Sequence, residues 1–92
     1  MPKLSIPTPF RTYTGGTSSL DIEASDVRGA VQELITAYPD LESHLFNEDG
    51  NLRPFVNLYI NDEDVRYLQG LDTELKEQDH VRIIPSIAGG GK

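Results

Sequence analysis

An α+β roll, in which a mixed sheet of about five strands carries one main helix on one face, is the fold class this sequence predicts. Three observations lead there. Short runs alternate apolar and polar residues with period two, the pattern of a strand with one buried face. A single longer stretch, Val27, Ala30, Val31, Leu34 and Tyr38, repeats at helical spacing. The whole chain has 92 residues, enough for one core and no second lobe.

The elements follow in order. Leu4 and Ile6 alternate with Lys3 and Ser5, and Pro7 and Pro9 end this first strand because proline brings no N–H to a ladder. Thr14-Gly15-Gly16 carries a turn signal, after which Leu20 and Ile22 alternate with Ser19, Asp21 and Glu23 in a second strand, antiparallel to the first. Ser25 or Asp26 caps the helix, since a short oxygen side chain accepts from free first-turn N–H groups. The helix ends before Pro39. Asp40 is expected to cap a short helical turn bearing Leu41 and Leu45, and Asn47 to Asn51 reads as a loop. Phe55 to Ile60 is the strongest strand, with Val56, Leu58 and Ile60 on one face and Phe55, Asn57 and Tyr59 on the other. Asn61 to Asp64 turns the chain into a short returning strand, Val65-Arg66-Tyr67, and Gly70, Leu71 and Leu75 belong to a connection. The last strand runs from His80 to Pro85 with Val81 and Ile83 inward. Residues 1–85 are thus expected to be one domain, and residues 86–92 a flexible tail.

Composition excludes several function classes. Fifteen acidic against eight basic residues give a net charge of −7, the wrong sign for binding a phosphate backbone, so nucleic acid is not an expected partner. The carboxylates gather at 21–26, 40–49, 62–64 and 72–79, either to steer a basic docking surface or simply as solvated turns and helix ends. There is no cysteine, hence no disulfide framework, no thiolate metal site and no thiol nucleophile. Neither an apolar leader nor a run approaching the roughly 20 apolar residues of a membrane span is seen, so a cytoplasmic protein without membrane contact is expected. His44 and His80 stand in no zinc-binding spacing, and Asp62-Glu63-Asp64 lacks the ligand pattern of a calcium loop. Neither glycine cluster has the lysine, serine and following helix of a phosphate cradle. Ser18, Ser19 and Ser86 have no base that the sequence identifies. The chain is therefore expected not to be an enzyme, and to hold no metal and no cofactor of its own.

The tail is the informative stretch. Ser86-Ile87-Ala88-Gly89-Gly90-Gly91-Lys92 follows directly on the last strand through Pro85. Glycine accepts almost any φ/ψ, so such a tail fits a channel too narrow for ordinary side chains and presents an unhindered carboxylate to an enzyme.

At this point the residues resemble a known family. Val56-Asn57, Tyr59, Asn61-Asp62-Glu63-Asp64-Val65-Arg66, Gly70-Leu71, Asp79 and Ile84-Pro85-Ser86-Ile87-Ala88-Gly89-Gly90 look like the ubiquitin-like sulfur carriers, which include the small subunit of molybdopterin synthase and the thiamine-pathway carrier. Within that group the likeness is strongest to the carriers of O-phosphoserine-dependent cysteine synthesis. It extends to Ser5-Ile6-Pro7-Thr8, Thr14-Gly15-Gly16 and the helix ending at Tyr38. The resemblance implies a β-grasp fold and a terminal glycine that an E1-like enzyme adenylates with ATP and magnesium. It further implies a thiocarboxylate, a cysteine synthase bearing pyridoxal phosphate that accepts the sulfur, and a JAMM-type zinc peptidase that releases the product. Aligned on Ala-Gly-Gly, the acceptor is Gly90, preceded by Gly89, and Gly91 and Lys92 form a short extension that a peptidase would remove.

Strand alternation then suggests the partner surface. If Val56, Leu58, Ile60, Val81 and Ile83 pack on the helix, then Phe55, Tyr59, Arg82 and Ile84 lie on the opposite face beside the tail. With Pro85, Ile87 and Ala88 they make the expected partner-binding set of a carrier that is a monomer when free. The alternative is a second small core under the Pro7 to Tyr13 loop. The acceptor pathway stays open between cysteine, molybdopterin, thiamine and tRNA thiolation, as does conjugation to target lysines as a protein modifier.

Overall fold

The computed structural model describes residues 1–85; Ser86 to Lys92 lie outside the described residues. Five strands form one sheet: β1 (Lys3–Ser5), β2 (Ser19–Asp21), β3 (Val56–Ile60), β4 (Glu63–Asp64) and β5 (His80–Pro85), in the order β2-β1-β5-β3-β4. β1 and β5 run parallel and the other neighbours antiparallel, so the sheet is mixed as expected. The helix α1 (Val27–Ala37) crosses one face, and a short α2 (Glu42–Leu45) follows it.

Local chemistry explains where α1 begins and ends. Asp26, one of the two expected caps, accepts the Gly29 N–H at 2.8 Å, while the Val27 N–H donates to the Thr73 carbonyl at 3.0 Å. Pro39 stops the helix, because its ring removes a donor and clashes with the preceding turn. Val27, Ala30, Val31 and Leu34 are buried, and the Tyr38 hydroxyl, at the end of the stripe, donates to Thr17 Oγ1 at 3.3 Å. Against this stripe pack Leu4, Ile6, Ile22, Val56, Leu58, Ile60, Val81 and Ile83 from the sheet. Full burial of one such side chain contributes about 1.5–3 kcal/mol.

The structure corrects several expectations. Val65–Tyr67 is a 3-10 turn, and the returning strand is Glu63–Asp64. Asp64 Oδ1 accepts the Arg66 N–H at 2.8 Å, a side-chain bond that curls the backbone away from the ladder. Asp40 makes no cap; the 3-10 turn Pro39–Leu41 starts with a proline, whose missing N–H suits a first-turn position, and runs into α2. Ile6 and Ile22 lie just beyond the ends of β1 and β2, although their N–H groups still donate to Ser18 and Pro2 carbonyls at 2.9 and 2.8 Å. Phe55 sits in the turn before β3 rather than in the strand. Asn47 to Asn51 is the expected loop, tied by Asn47 Oδ1, which accepts from the Asp49 and Asn51 N–H groups at 2.9 and 3.1 Å.

The segment after β1 is a 3-10 helix, Thr8–Thr14, closed by Gly15 at φ 66°. Phe10 is buried in the main core and Tyr13 stacks on His44 of α2 at 4.2 Å between ring centroids. This segment thus packs at the helical end of the single core, which argues against a separate core under it.

Candidate functional site

The tail grows from the centre of the sheet. β5 lies between β1 and β3, and its pairing with β3 runs from Val81 opposite Ile60 to Pro85 opposite Val56. Alternation along these two strands sorts the side chains. Val56, Leu58, Ile60, Val81 and Ile83 are buried against the helix, and half-buried Pro85, the partner of Val56, shares their side, while half-buried Asn57 and Tyr59 and exposed Arg82 lie on the opposite side. Tyr59 faces Arg82 and Asn57 faces Ile84 in register. Ile84 is 37% exposed and Phe55, in the turn beside them, 40%, so large apolar side chains stand in water next to the root of the tail. Of the residues expected to act at the site, the structure brings together Phe55, Tyr59, Arg82 and Ile84 on the open face, whereas Pro85 ends β5 on the inner side opposite Val56. Ile87, Ala88, Gly89, Gly90, Gly91 and Lys92 lie outside the described residues.

Charges around this face are compensated. Arg82 pairs with Asp62 at 3.5 Å, Arg66 with Asp64 at 2.7 Å and Lys3 with Asp21 at 2.6 Å. The Arg66 guanidinium, hydrogen-bonded to the Asp64 carboxylate, holds that carboxyl below its usual range, and the Lys3 ammonium does the same for Asp21. The carboxylate run 62–64 is thus split between two arginines, with Glu63 exposed between them. No group of three or more potential metal ligands occurs among the described residues. On the helical side Arg28 pairs with Asp72 at 3.1 Å, while no carboxylate of the 40–49 cluster enters an ion pair among the described residues.

Two contacts of β5 escape sequence reading. Asn57 Nδ2 donates to the Ile84 carbonyl at 3.3 Å across the β3–β5 ladder. Its only signal in the sequence was its place beside Tyr59 in the quoted motif. Ser5 Oγ and His80 Nε2 are hydrogen-bonded, joined by the parallel β1–β5 pairing of residues far apart in the chain. That pair is not set up for nucleophilic attack. The neighbouring Asp79 spends its carboxylate on the Lys76 N–H at 2.8 Å and the Asn61 amide at 3.2 Å, so it does not orient the imidazole. Tyr67, 81% exposed on the 3-10 turn after β4, also adds an aromatic that the strand reading had not placed in solvent.

Known proteins share this arrangement. A chain in the crystal structure of the Amycolatopsis orientalis BexX/CysO complex superposes with a TM-score of 0.86 at 37% identity, covering 98% of this chain and 100% of that one. The sulfur carrier protein CysO of Mycobacterium tuberculosis is 38% identical over 89 residues, 95% of this chain and 96% of the relative. The solution structure of small archaeal modifier protein 1 from Methanosarcina acetivorans superposes with a TM-score of 0.83 at 29% identity, covering 97% of this chain and 95% of that one. The five-stranded mixed sheet, the single main helix on one face and a ThiS family profile that matches residues 4–90 give one answer: the chain belongs to the ThiS family of ubiquitin-like β-grasp proteins.

Proposed function

We propose that this protein is a sulfur carrier whose C-terminal glycine, Gly90 after removal of Gly91 and Lys92, is adenylated, converted to a thiocarboxylate and used as a sulfur donor in cysteine biosynthesis. The observation that carries this reading is the family match, which ends on Gly90 and leaves the last two residues outside it. The 38% identity with CysO over nearly the whole chain supports the choice of pathway. Exposed Phe55 and Ile84 at the end of β5 support a carrier that docks on partner enzymes.

The chemistry divides between carrier and partners. A carboxylate is a poor acyl donor, so an E1-like enzyme uses ATP and magnesium: the Gly90 carboxylate attacks the α-phosphorus and pyrophosphate leaves. The terminal sulfur of an enzyme persulfide then displaces AMP from the acyl carbon, and a second thiol of the enzyme attacks the inner sulfur of the resulting acyl disulfide, releasing the thiocarboxylate on Gly90 and leaving a disulfide on the enzyme. A cysteine synthase supplies pyridoxal phosphate for the acceptor, and a JAMM-type peptidase supplies zinc for release; the carrier brings no cofactor and acts as co-substrate. Phe55, Tyr59, Arg82 and Ile84, with Pro85, Ile87 and Ala88, form the surface these partners grip. The carrier works in the cytoplasm as a monomer between encounters. No helix among the described residues is long and apolar enough to cross a membrane.

Intact mass spectrometry tests the reading. The chain is treated with the candidate peptidase and then with adenylating enzyme, ATP and a sulfur donor. Loss of Gly91-Lys92 followed by exchange of one oxygen for sulfur is the expected result; a terminus that stays unprocessed and unchanged overturns it. The likeness to small archaeal modifier protein 1 favours a second reading, conjugation of Gly90 to target lysines, which the same spectra would show as higher-mass adducts. Exchange of oxygen for sulfur with a molybdopterin, thiamine or tRNA acceptor in place of the cysteine synthase would keep the carrier and change the pathway.

A further inference from the structure

β2 is an outer strand of the sheet and pairs only with β1. Antiparallel pairing turns the backbone groups of successive residues alternately toward the neighbour and away from it. The Ile6 N–H donates to the Ser18 carbonyl at 2.9 Å and the Ile22 N–H to the Pro2 carbonyl at 2.8 Å, so Ser18, Leu20 and Ile22 face β1. Residues 17, 19, 21 and 23 therefore turn theirs outward. At the two ends of this row the chain satisfies itself: the Thr17 carbonyl accepts the Thr14 hydroxyl at 2.9 Å, and the Glu23 N–H donates to the Glu33 carboxylate at 3.0 Å. Between these stops, Ser19 and Asp21 give their outward N–H and C=O groups no partner among the described residues. Edges are commonly blunted by lysine, proline or a bulge, and Ser18 to Ile22 has none of these. Beside the edge, on the helix side, runs a groove of about 460 Å³ between β2 and α1. Half-buried Leu20, with Thr36 and Ala37 of α1, lines it together with Glu23 and Glu33. Neither glutamate enters an ion pair among the described residues, and no basic residue lines the groove.

We propose that the β2 edge and this groove form a second docking site, which takes a basic extended segment of a partner protein as an added strand. The segment pairs with Ser19 and Asp21, lays small apolar side chains over Leu20 and Ala37, and sets lysine or arginine against Glu23 and Glu33. Charge selects this occupant over a second copy of the chain, since two such edges would bring like carboxylates together in molecules of net charge −7. The site is separate from the open face. β1 stands between β2 and β5, which puts the edge about 10 Å from β5, and the groove lies on the other side of the sheet from Tyr59 and Arg82. A partner held there leaves the open face accessible, so the inference does not rest on the sulfur-carrier reading.

The test titrates the blocked peptide Lys-Val-Lys-Val-Lys-Val-Lys into the nitrogen-labelled chain at low salt. Amide shifts should be confined to residues 17–23 and 32–37, with slower hydrogen exchange at Ser19 and Asp21, and the same peptide with glutamate for lysine should leave the spectrum unchanged. Combining Glu23→Gln with Glu33→Gln, which keeps an acceptor for the residue 23 N–H, should weaken binding about 2- to 30-fold, the range two exposed charge pairs command. Ser19→Pro removes one outward N–H, leaves the β1 ladder intact and should weaken binding about 2- to 10-fold. Should that variant fail to fold, the glutamine pair still decides. No response at millimolar peptide, an equal response to the acidic peptide, shifts centred on Phe55 and Ile84, or a dimer of the free chain that Ser19→Pro dissolves in analytical ultracentrifugation would each overturn the inference.

Discussion

The two faces of the β3–β5 pair are made of adjacent residues on the same backbone, yet they answer to different demands. Leu58 is 2% exposed and Val81 fully buried, and both are accounted for by the core they fill. Phe55 and Ile84 are as apolar but stand in water, beside Tyr59 and the compensated Arg82. Burial explains the first set. Folding gives no reason for the second, so that face is where contact with other molecules is to be sought.

Substitutions on the two faces can break this comparison. Leu58→Ala should have the largest effect, costing about 2–5 kcal/mol, a large part of the roughly 5–15 kcal/mol that holds a domain of this kind. Chemical denaturation measures it; a loss below that of Tyr59→Ala would show that the faces are assigned the wrong way round. Gly29→Ala comes next, on the helix that covers the inner face. An added Cβ there would stand 2.6 Å from Ala24 Cβ and 3.1 Å from the capping Asp26 Oδ1, with an expected cost of about 1–3 kcal/mol from overpacking and a disturbed cap. Tyr59→Ala should cost about 1 kcal/mol or less, yet weaken transfer with the adenylating enzyme several-fold. Equal transfer by the variant and the wild type would remove this face from the docking surface.

Acid should have the smallest effect, and its sign follows from the ion pairs. The Asp64 carboxyl has its pKa lowered below 3.8 in the folded state by Arg66, so it favours folding above its unfolded pKa, and that contribution fades as pH falls through the folded value. Asp21, lowered by Lys3, acts in the same direction. Stability should therefore decline as pH drops from about 5 toward 2, and less steeply in Asp64→Asn. An equal slope in the variant would show that Asp64 gains nothing from Arg66 in solution.

Much of this was legible in the chain. The helical stripe from Val27, the cap at Asp26, the stop at Pro39 and the inward sets of β3 and β5 each follow from nearest-neighbour chemistry: period, side-chain oxygen or missing N–H. The errors have two causes. At Asp64 a side-chain hydrogen bond competed with the ladder and ended the strand after two residues, whereas apolar pattern alone favoured continuing through Val65 and Tyr67. Phe10 was hidden for another reason: Pro7 and Pro9 suggested a loop, and only packing on the Pro39–Leu41 turn and on His44 of α2 made that segment a 3-10 helix feeding the core.

By itself, then, the sequence determined the α+β class, the helix and its limits, the alternation of β3 and β5, and the family, because these depend on local spacing and on motif residues close in the chain. The tertiary structure decided which strands are neighbours, since the parallel β1–β5 pairing joins the two ends of the domain. It alone set Ser5 on His80 and the Asn57 amide on the Ile84 carbonyl. Such contacts form only once the sheet order is in place, because they depend on distances across strands that no spacing along the chain records.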